Sequence, residues 1–235
     1  TWRRAVKGLL EKGFASLFEA VPAEPEWLAV GEVQAGPDLN ADQLGPIEQI
    51  RATTGFAAWL LDGVTGSGKT EVYLRLIRDV LDAGQQVLVL VPEIGLTPQL
   101  VRRLSTRLGV APAVMHSGLS DNARLAAWRS SRSGAAKLVI GTRSAVFTPL
   151  PDVGLIVVDE EHDHSFKQQE GLRYSARDLA IARAKHRNIP VVLGSATPTL
   201  EMLQHCRSGN FTRLVLPVRA GGAKPPDFRL VDLTR

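Results

Sequence analysis

The sequence predicts an α/β fold, a parallel β-sheet covered by helices on both faces, and three observations carry that expectation. Short valine- and leucine-rich runs recur at Gln86–Val91, Lys137–Gly141, Leu155–Asp159 and Val191–Gly194. They lack polar alternation, as strands buried on both faces do. Stretches at helical spacing lie between them, and such alternation is how parallel strands are connected. The third observation is the glycine-rich turn Gly63-Val64-Thr65-Gly66-Ser67-Gly68-Lys69-Thr70, entered from the apolar run Ala57–Leu61 and left through Glu71–Leu76. It fits G-x-x-x-x-G-K-[ST] between a strand and a helix, the context that the pattern needs.

Composition bounds the rest. At 235 residues and 44% hydrophobic content the chain can bury a full core in one or two domains. No apolar run approaches the roughly 20 residues of a membrane helix, so no membrane partner is expected. Thr1–Gly8 has basic residues without an apolar stretch to follow, unlike a secretory signal, and a start at Thr rather than Met suits an excised piece. The single Cys206 excludes an internal disulfide and a multi-cysteine metal site, which suits a reducing, cytoplasmic compartment. With 28 basic against 24 acidic residues, the net charge of +4 leans only mildly towards an anionic partner.

In chain order, Ala5, Val6, Leu9 and Leu10 fall at helical spacing, Gly13 is placed as a C-terminal cap, and Phe14–Phe18 has the composition of a short strand. That order suits the end of a helix-turn-helix module with a β wing, and equally any amphipathic helix with a hairpin. Val21–Asp38, rich in Pro, Glu and Gly, reads as a linker. The expected domains are therefore residues 1–35, 36–220 and a connection at 221–235. Asn40 is a good N-cap for a helix from Ala41 to Ala52, and Gln43 on it has an amide able to pair with an adenine edge. Further helices are expected over about Thr97–Leu108 and Asp121–Ser131, with a short strand at Ala113–Met115 between them, and Val191–Gly194 closes the series.

Two stretches carry chemistry. In the glycine-rich turn, Gly63, Thr65, Gly66, Ser67 and Gly68 let backbone N–H groups wrap a phosphate chain, and the following helix adds the positive end of its dipole. Lys69 reaches the β/γ-phosphates, Thr70 ligates Mg²⁺, and Glu71, which continues the motif into the helix, is expected among the nucleotide-binding residues. The ligand expected is a nucleoside triphosphate, ATP with Mg²⁺. The second stretch ends a strand, Leu155-Ile156-Val157-Val158-Asp159-Glu160-Glu161-His162. A carboxylate there lies in the crevice where parallel sheets bind ligands, so Asp159 is expected to hold the metal and Glu160 to act as general base on the attacking water.

With Gly141-Thr142-Arg143 and Ser195-Ala196-Thr197 added, these motifs resemble the first motor lobe, a RecA-like P-loop NTPase unit, of a superfamily 2 helicase. Longer strings narrow the likeness: Gly63–Tyr73, Val91–Gln99 and His162–Gly171 are similar to the PriA family of bacterial replication-restart helicases, also called primosomal protein N-prime. The resemblance runs from about Leu39 to the C-terminus. It implies that Gln43 contacts adenine, that Pro92, Glu93 and Arg143 face the DNA backbone, and that Ser195 and Thr197 couple hydrolysis to lobe movement. It also implies a DNA-sensing, aromatic-rich loop from Phe166 to Tyr174. Phe166 and Tyr174 suit stacking on bases, Lys167 and Arg173 suit phosphates, and Gln168 and Gln169 suit either.

The family further implies single-stranded and forked DNA, single-stranded DNA-binding protein and other primosome proteins as partners, in the cytoplasm at the replication fork. The paired cysteines of its zinc-binding insertion are missing from these residues, so zinc is expected in the longer family members and not here. Residues 1–35 resemble the end of the family's winged-helix domain, and Phe228–Leu233 the strand that leads towards a second lobe. Two other readings stay open at this point: a self-contained P-loop NTPase or kinase, and a motor-like lobe that binds nucleic acid without turnover.

Overall fold

The computed structural model describes residues 2–16 and 33–220. Most of the Val21–Asp38 linker and the Phe228–Leu233 strand lie outside the described residues. Helix α1 (Trp2–Glu11) ends as expected at Gly13, whose φ of +70° sits in the left-handed region. Phe14 N–H donates to Leu9 C=O and Gly13 N–H to Leu10 C=O, the paired bonds of a Schellman cap. Phe14 to Ser16 form no strand, which corrects the described part of the Phe14–Phe18 expectation, and Phe14 is exposed.

The remainder is a seven-stranded, wholly parallel sheet. In chain order come α2 (Ala41–Arg51), β1 (Ala58–Gly63), α3 (Lys69–Asp82), β2 (Gln86–Leu90), α4 (Pro98–Leu108), β3 (Ala113–Met115), α5 (Asp121–Ser133), β4 (Leu138–Gly141) and β5 (Val153–Val158). A small antiparallel hairpin follows, β6 (Lys167–Gln168) with β7 (Tyr174–Ser175), and then α6 (Ala176–Arg187), β8 (Val191–Ser195), α7 (Leu200–Arg207) and β9 (Thr212–Leu216). The strand order is β3-β4-β2-β5-β8-β1-β9. The polar caps foreseen at Asn40 and the unforeseen ones at Thr97, Ser120, Ser175 and Thr199 each accept a bond from a first-turn N–H.

Alternate side chains of the central strands enter two cores. Leu60, Leu88, Ile156 and Leu193 face α5, α6 and α7, while Leu61, Val87, Leu155 and Val192 face α2, α3 and α4. Each such leucine removed from water contributes about 1.5–3 kcal/mol. Helix α6 lies close on the sheet because Ala176, Ala180 and Ala184, four residues apart, are fully buried.

Besides the two short hairpin strands β6 and β7, which fall in the stretch expected to be a loop, three elements went unread in the sequence. Strand β9 pairs with β1 at the sheet edge and so alternates exposed Thr212, Arg213 and Val215 with buried Leu214 and Leu216, a pattern too short to stand out. Val191–Gly194 is therefore not the last strand. Helix α6 is rich in alanine and charge, and α7 is only eight residues long, so neither shows a clear apolar stripe.

The register brings three strand ends side by side. Strand β8 sits between β1 and β5, with Asp62 opposite Ser195 and Val158 opposite Leu193. The glycine-rich turn after β1, the Ser195–Thr197 segment after β8 and the Asp159–His162 segment after β5 thus share one edge.

Candidate nucleotide site and nucleic-acid interface

The phosphate loop leaves β1 at Gly63 and enters α3 at Lys69. Gly66 (φ +82°) and Gly68 (φ +87°) take left-handed conformations that other residues adopt only at a cost. Ser67 N–H donates to Val64 C=O at 2.9 Å, while its buried hydroxyl has no hydrogen-bond partner among the described residues. Thr65 is exposed at the loop, and Thr70 is half-buried in the first turn of α3. Lys69, buried to 8% exposure, folds its amine back onto Gly63 C=O at 2.8 Å and lies 3.8 Å from Glu160 Oε1.

Gln43 is held in two places. Its Oε1 accepts from Asn40 N–H at 3.0 Å in a capping box, and its Nε2 donates to Ser67 C=O at 3.2 Å. The side chain is thereby fastened to the phosphate loop itself. Glu71 departs from its expected place among the nucleotide residues. Its carboxylate points to α4, where Arg107 Nη2 donates at 2.6 Å, with Arg75 Nε at 3.5 Å. A buried carboxylate seeks a cation, and Arg107 supplies it, so Glu71 braces α3 against α4 rather than facing the phosphates.

Across β8, Asp159 Oδ1 accepts from Tyr73 Oη at 3.0 Å. Burial raises the Asp159 pKa, and the neighbouring Glu160 charge raises it further. The Tyr73 hydroxyl reaches it through the space left by Gly194, where a Cβ would lie 1.5 Å from that oxygen. Glu160 takes φ +49°, a left-handed conformation that costs a non-glycine residue about 1–3 kcal/mol and clusters at functional sites. Its Oε2 is 3.6 Å from His162 Nδ1, which stands 2.8 Å from Ser195 Oγ. Ser195 Oγ also accepts from Thr197 N–H at 3.0 Å. A chain of contacts therefore runs from Glu160 through His162 and Ser195 to Thr197.

Pro92 and the 3₁₀ turn Glu93–Gly95 stand after β2. Pro92, Ile94, Asp159, Glu160, His162 and Thr197 line one cleft. Arg143 opens the 3₁₀ turn Arg143–Phe147 and donates from Nη1 to Ser165 C=O at 3.2 Å and Lys167 C=O at 3.1 Å. It holds the base of the β6–β7 hairpin. Lys167 and Arg173 are exposed, and Gln168 Nε2 donates to Glu170 C=O at 2.6 Å. Tyr174 is half-buried, edge-on to Phe147 with centroids 5.0 Å apart and planes at 70°.

Phe166 contradicts its expected role as a base-stacking residue. It is 1% exposed and packs into the core beneath the hairpin, because a phenyl ring on a short turn finds apolar cover there. The exposed ring beside Tyr174 is instead Phe147, 56% exposed, which its place in an apolar-looking stretch concealed. Tyr73 was visible in the motif string but nothing in the sequence joined it to Asp159. Phe166→Ala is accordingly expected to lower stability by roughly 3–5 kcal/mol. Tyr174→Ala, which removes only a half-buried ring at the margin of that core, is expected to lower it by less, its edge-on pairing with Phe147 being worth about 0.5–1.5 kcal/mol beyond the area covered. Thermal unfolding of the two variants checks this, and equal midpoints would overturn the assignment.

The DEAD/DEAH box helicase family model matches residues 42–205. The replication restart protein PriA of Haemophilus influenzae is 52% identical over 83% of this chain, covering 27% of its own length. That of Bacillus subtilis is 43% identical over 97% of this chain and 29% of its own length. The chain thus spans less than a third of the curated relatives it matches. Among solved structures, RecG bound to a three-way DNA junction superposes with a TM-score of 0.59 at 22% identity, covering 84% of this chain and 25% of that one. The DUF1998 helicase MrfA bound to DNA gives 0.54 at 13% identity, over 77% and 27%.

Proposed function

The chain belongs to the DEAD/DEAH box helicase family, and from that premise we propose that it is the ATP-binding motor lobe of a two-lobed DNA helicase. In that enzyme it drives remodelling of stalled replication forks and the start of primosome assembly. The observation that carries the reading is the meeting of phosphate loop, carboxylates and Ser195–Thr197 on the adjacent ends of β1, β5 and β8, with a basic, aromatic hairpin leaving directly from the carboxylates. A self-contained P-loop NTPase or kinase is not favoured by the helicase family match and the relatives, and a lobe without turnover is not favoured because Lys69, Thr70, Asp159 and Glu160 are all present.

The residues fit Mg²⁺-ATP. Backbone N–H groups of Gly66 and Gly68–Thr70 at the N-terminus of α3 suit an anion cradle, and the unpartnered Ser67 hydroxyl leaves one polar group to satisfy. Thr70 and Asp159 supply hard oxygen donors for the metal, and Tyr73 orients the Asp159 carboxylate. When bound, Mg²⁺ neutralises charge on the β- and γ-phosphoryl oxygens. Lys69 exchanges Gly63 C=O and Glu160 for the phosphates. That exchange frees Glu160 to orient a water and take its proton as the water oxygen bonds to the γ-phosphorus and ADP leaves.

Single-stranded and forked DNA are the nucleic-acid ligands we infer, met by Lys167, Gln168, Arg173, Tyr174 and Phe147, with Arg143 holding the hairpin in place. Single-stranded DNA-binding protein and other primosome proteins as partners, and the cytoplasm as the compartment, we infer from the resemblance to the replication-restart family. No helix among the described residues is long and apolar enough to cross a membrane. Zinc we assign to longer family members, since this chain has one cysteine.

Lys69→Ala is expected to weaken ATP far more than adenosine, because it removes the charge aimed at the phosphates and leaves the base contacts. Calorimetric titration with both ligands tests it. Unchanged ATP affinity in the variant would overturn the site.

A further inference from the structure

We propose that Arg177 and Glu161 are positioning residues that form a buried relay between the DNA-sensing hairpin and the Ser195–Thr199 segment, and so set how strongly single-stranded DNA stimulates hydrolysis. The inference rests on the functional reading above. Neither residue touches the nucleotide site, yet both are charged and buried, 5% and 2% exposed. Burying charge is costly without a partner, and here each of the two finds one in the other, Arg177 Nη1 donating to Glu161 Oε2 at 3.1 Å.

Glu161 follows Glu160 and precedes His162, and its N–H donates to Gly194 C=O at 2.9 Å. Its Oε1 accepts from Thr199 N–H at 2.8 Å, and its Oε2 from Thr199 Oγ1 at 3.2 Å and Arg177 Nη1 at 3.1 Å. Thr199 is the N-cap of α7, two residues beyond Thr197. Arg177 stands three residues after Tyr174, at the start of α6. Its Nη2 reaches Glu201 at 2.7 Å, its Nε reaches Asp178 at 2.8 Å, and Nη1 also meets Thr199 Oγ1 at 3.3 Å.

One planar guanidinium therefore joins three chain segments: the hairpin exit, the carboxylate motif and the start of α7. A rigid fork transmits displacement as a single body, which a flexible ammonium does not. Movement of Tyr174 on binding a base shifts Arg177, and with it the carboxylate that lies between the general base and His162. The cleft between hairpin and α7, lined by Phe166, Lys167, Ser175 and Leu200, leaves room for that movement.

The test uses the two-lobed enzyme. Arg177→Lys keeps the charge but reaches only one carboxylate at a time. Basal hydrolysis, Mg²⁺-nucleotide affinity and single-stranded DNA affinity should stay within about twofold, while DNA stimulation falls by roughly tenfold, within the range of mutations along coupling networks. Adding Tyr174→Ala should cause no further loss, because both changes cut the same path. Thr199→Val should lower stimulation and Thr199→Ser restore it, which keeps the test decisive if Arg177→Lys unfolds. Full stimulation in Arg177→Lys at an unchanged thermal midpoint, equal stimulation in the two Thr199 variants, or additive losses with Tyr174→Ala would reduce the cluster to packing. A wild-type enzyme without DNA stimulation would instead overturn the functional reading.

Discussion

Glu160→Gln is expected to cut turnover of the two-lobed enzyme by about two to four orders of magnitude while leaving Mg²⁺-ATP affinity within a few-fold, the range that loss of a positioned general base produces. The separation follows from the division of labour between adjacent carboxylates. Asp159, proposed to hold the metal, is tied to the Tyr73 hydroxyl, whereas Glu160 is set by its left-handed backbone towards Lys69 and His162. Glutamine keeps the shape and a lone pair for the water but cannot accept its proton. Single-turnover phosphate release, with nucleotide affinity measured in parallel, checks the result. Turnover within tenfold of wild type would move the base to another group, His162 being the nearest.

Much of this site was legible because its chemistry is local in sequence. A glycine-rich turn between a strand and a helix, and a carboxylate pair at a strand end, each announce a role within eight residues. What brings them together is not local. Strand β8 lies between β1 and β5, yet it follows β1 by more than a hundred residues, and only the sheet order places Ser195 beside His162. Burial is equally non-local. Phe166 was expected to stack on bases because the resemblance implies a DNA-sensing loop there, but whether a ring on a turn meets solvent or core depends on helices elsewhere in the chain. Glu71 was assigned to nucleotide by adjacency to Thr70, while its partner Arg107 comes from another helix. The strand β9 escaped because an edge strand is half polar.

The 235-residue chain by itself is expected to fold, to bind nucleotide in weakened form, and to turn it over about 10³–10⁵-fold more slowly than the two-lobed enzyme, the contribution of an arginine finger. Folding follows from a sheet whose two faces are both covered by its own helices. Slow turnover follows from charge: the transition state loads the γ-phosphoryl oxygens and the leaving β-phosphate, and the cation that the loop itself holds is Lys69. The cleft beside Glu160 is one wall, with Ile94 at 87% exposure on its lining, and Leu200 at 85% lies on the neighbouring cleft between hairpin and α7, surfaces suited to a facing lobe. Unwinding by this chain alone is expected to fail for a separate reason, since the translocation we propose needs two lobes that close and open on DNA. Steady-state phosphate release from this chain, beside a form extended through the second lobe and with saturating single-stranded DNA for both, reads the difference. Comparable DNA-stimulated rates would show that the catalytic site is complete within these residues, and that the transition-state charge is met by a cation of this lobe.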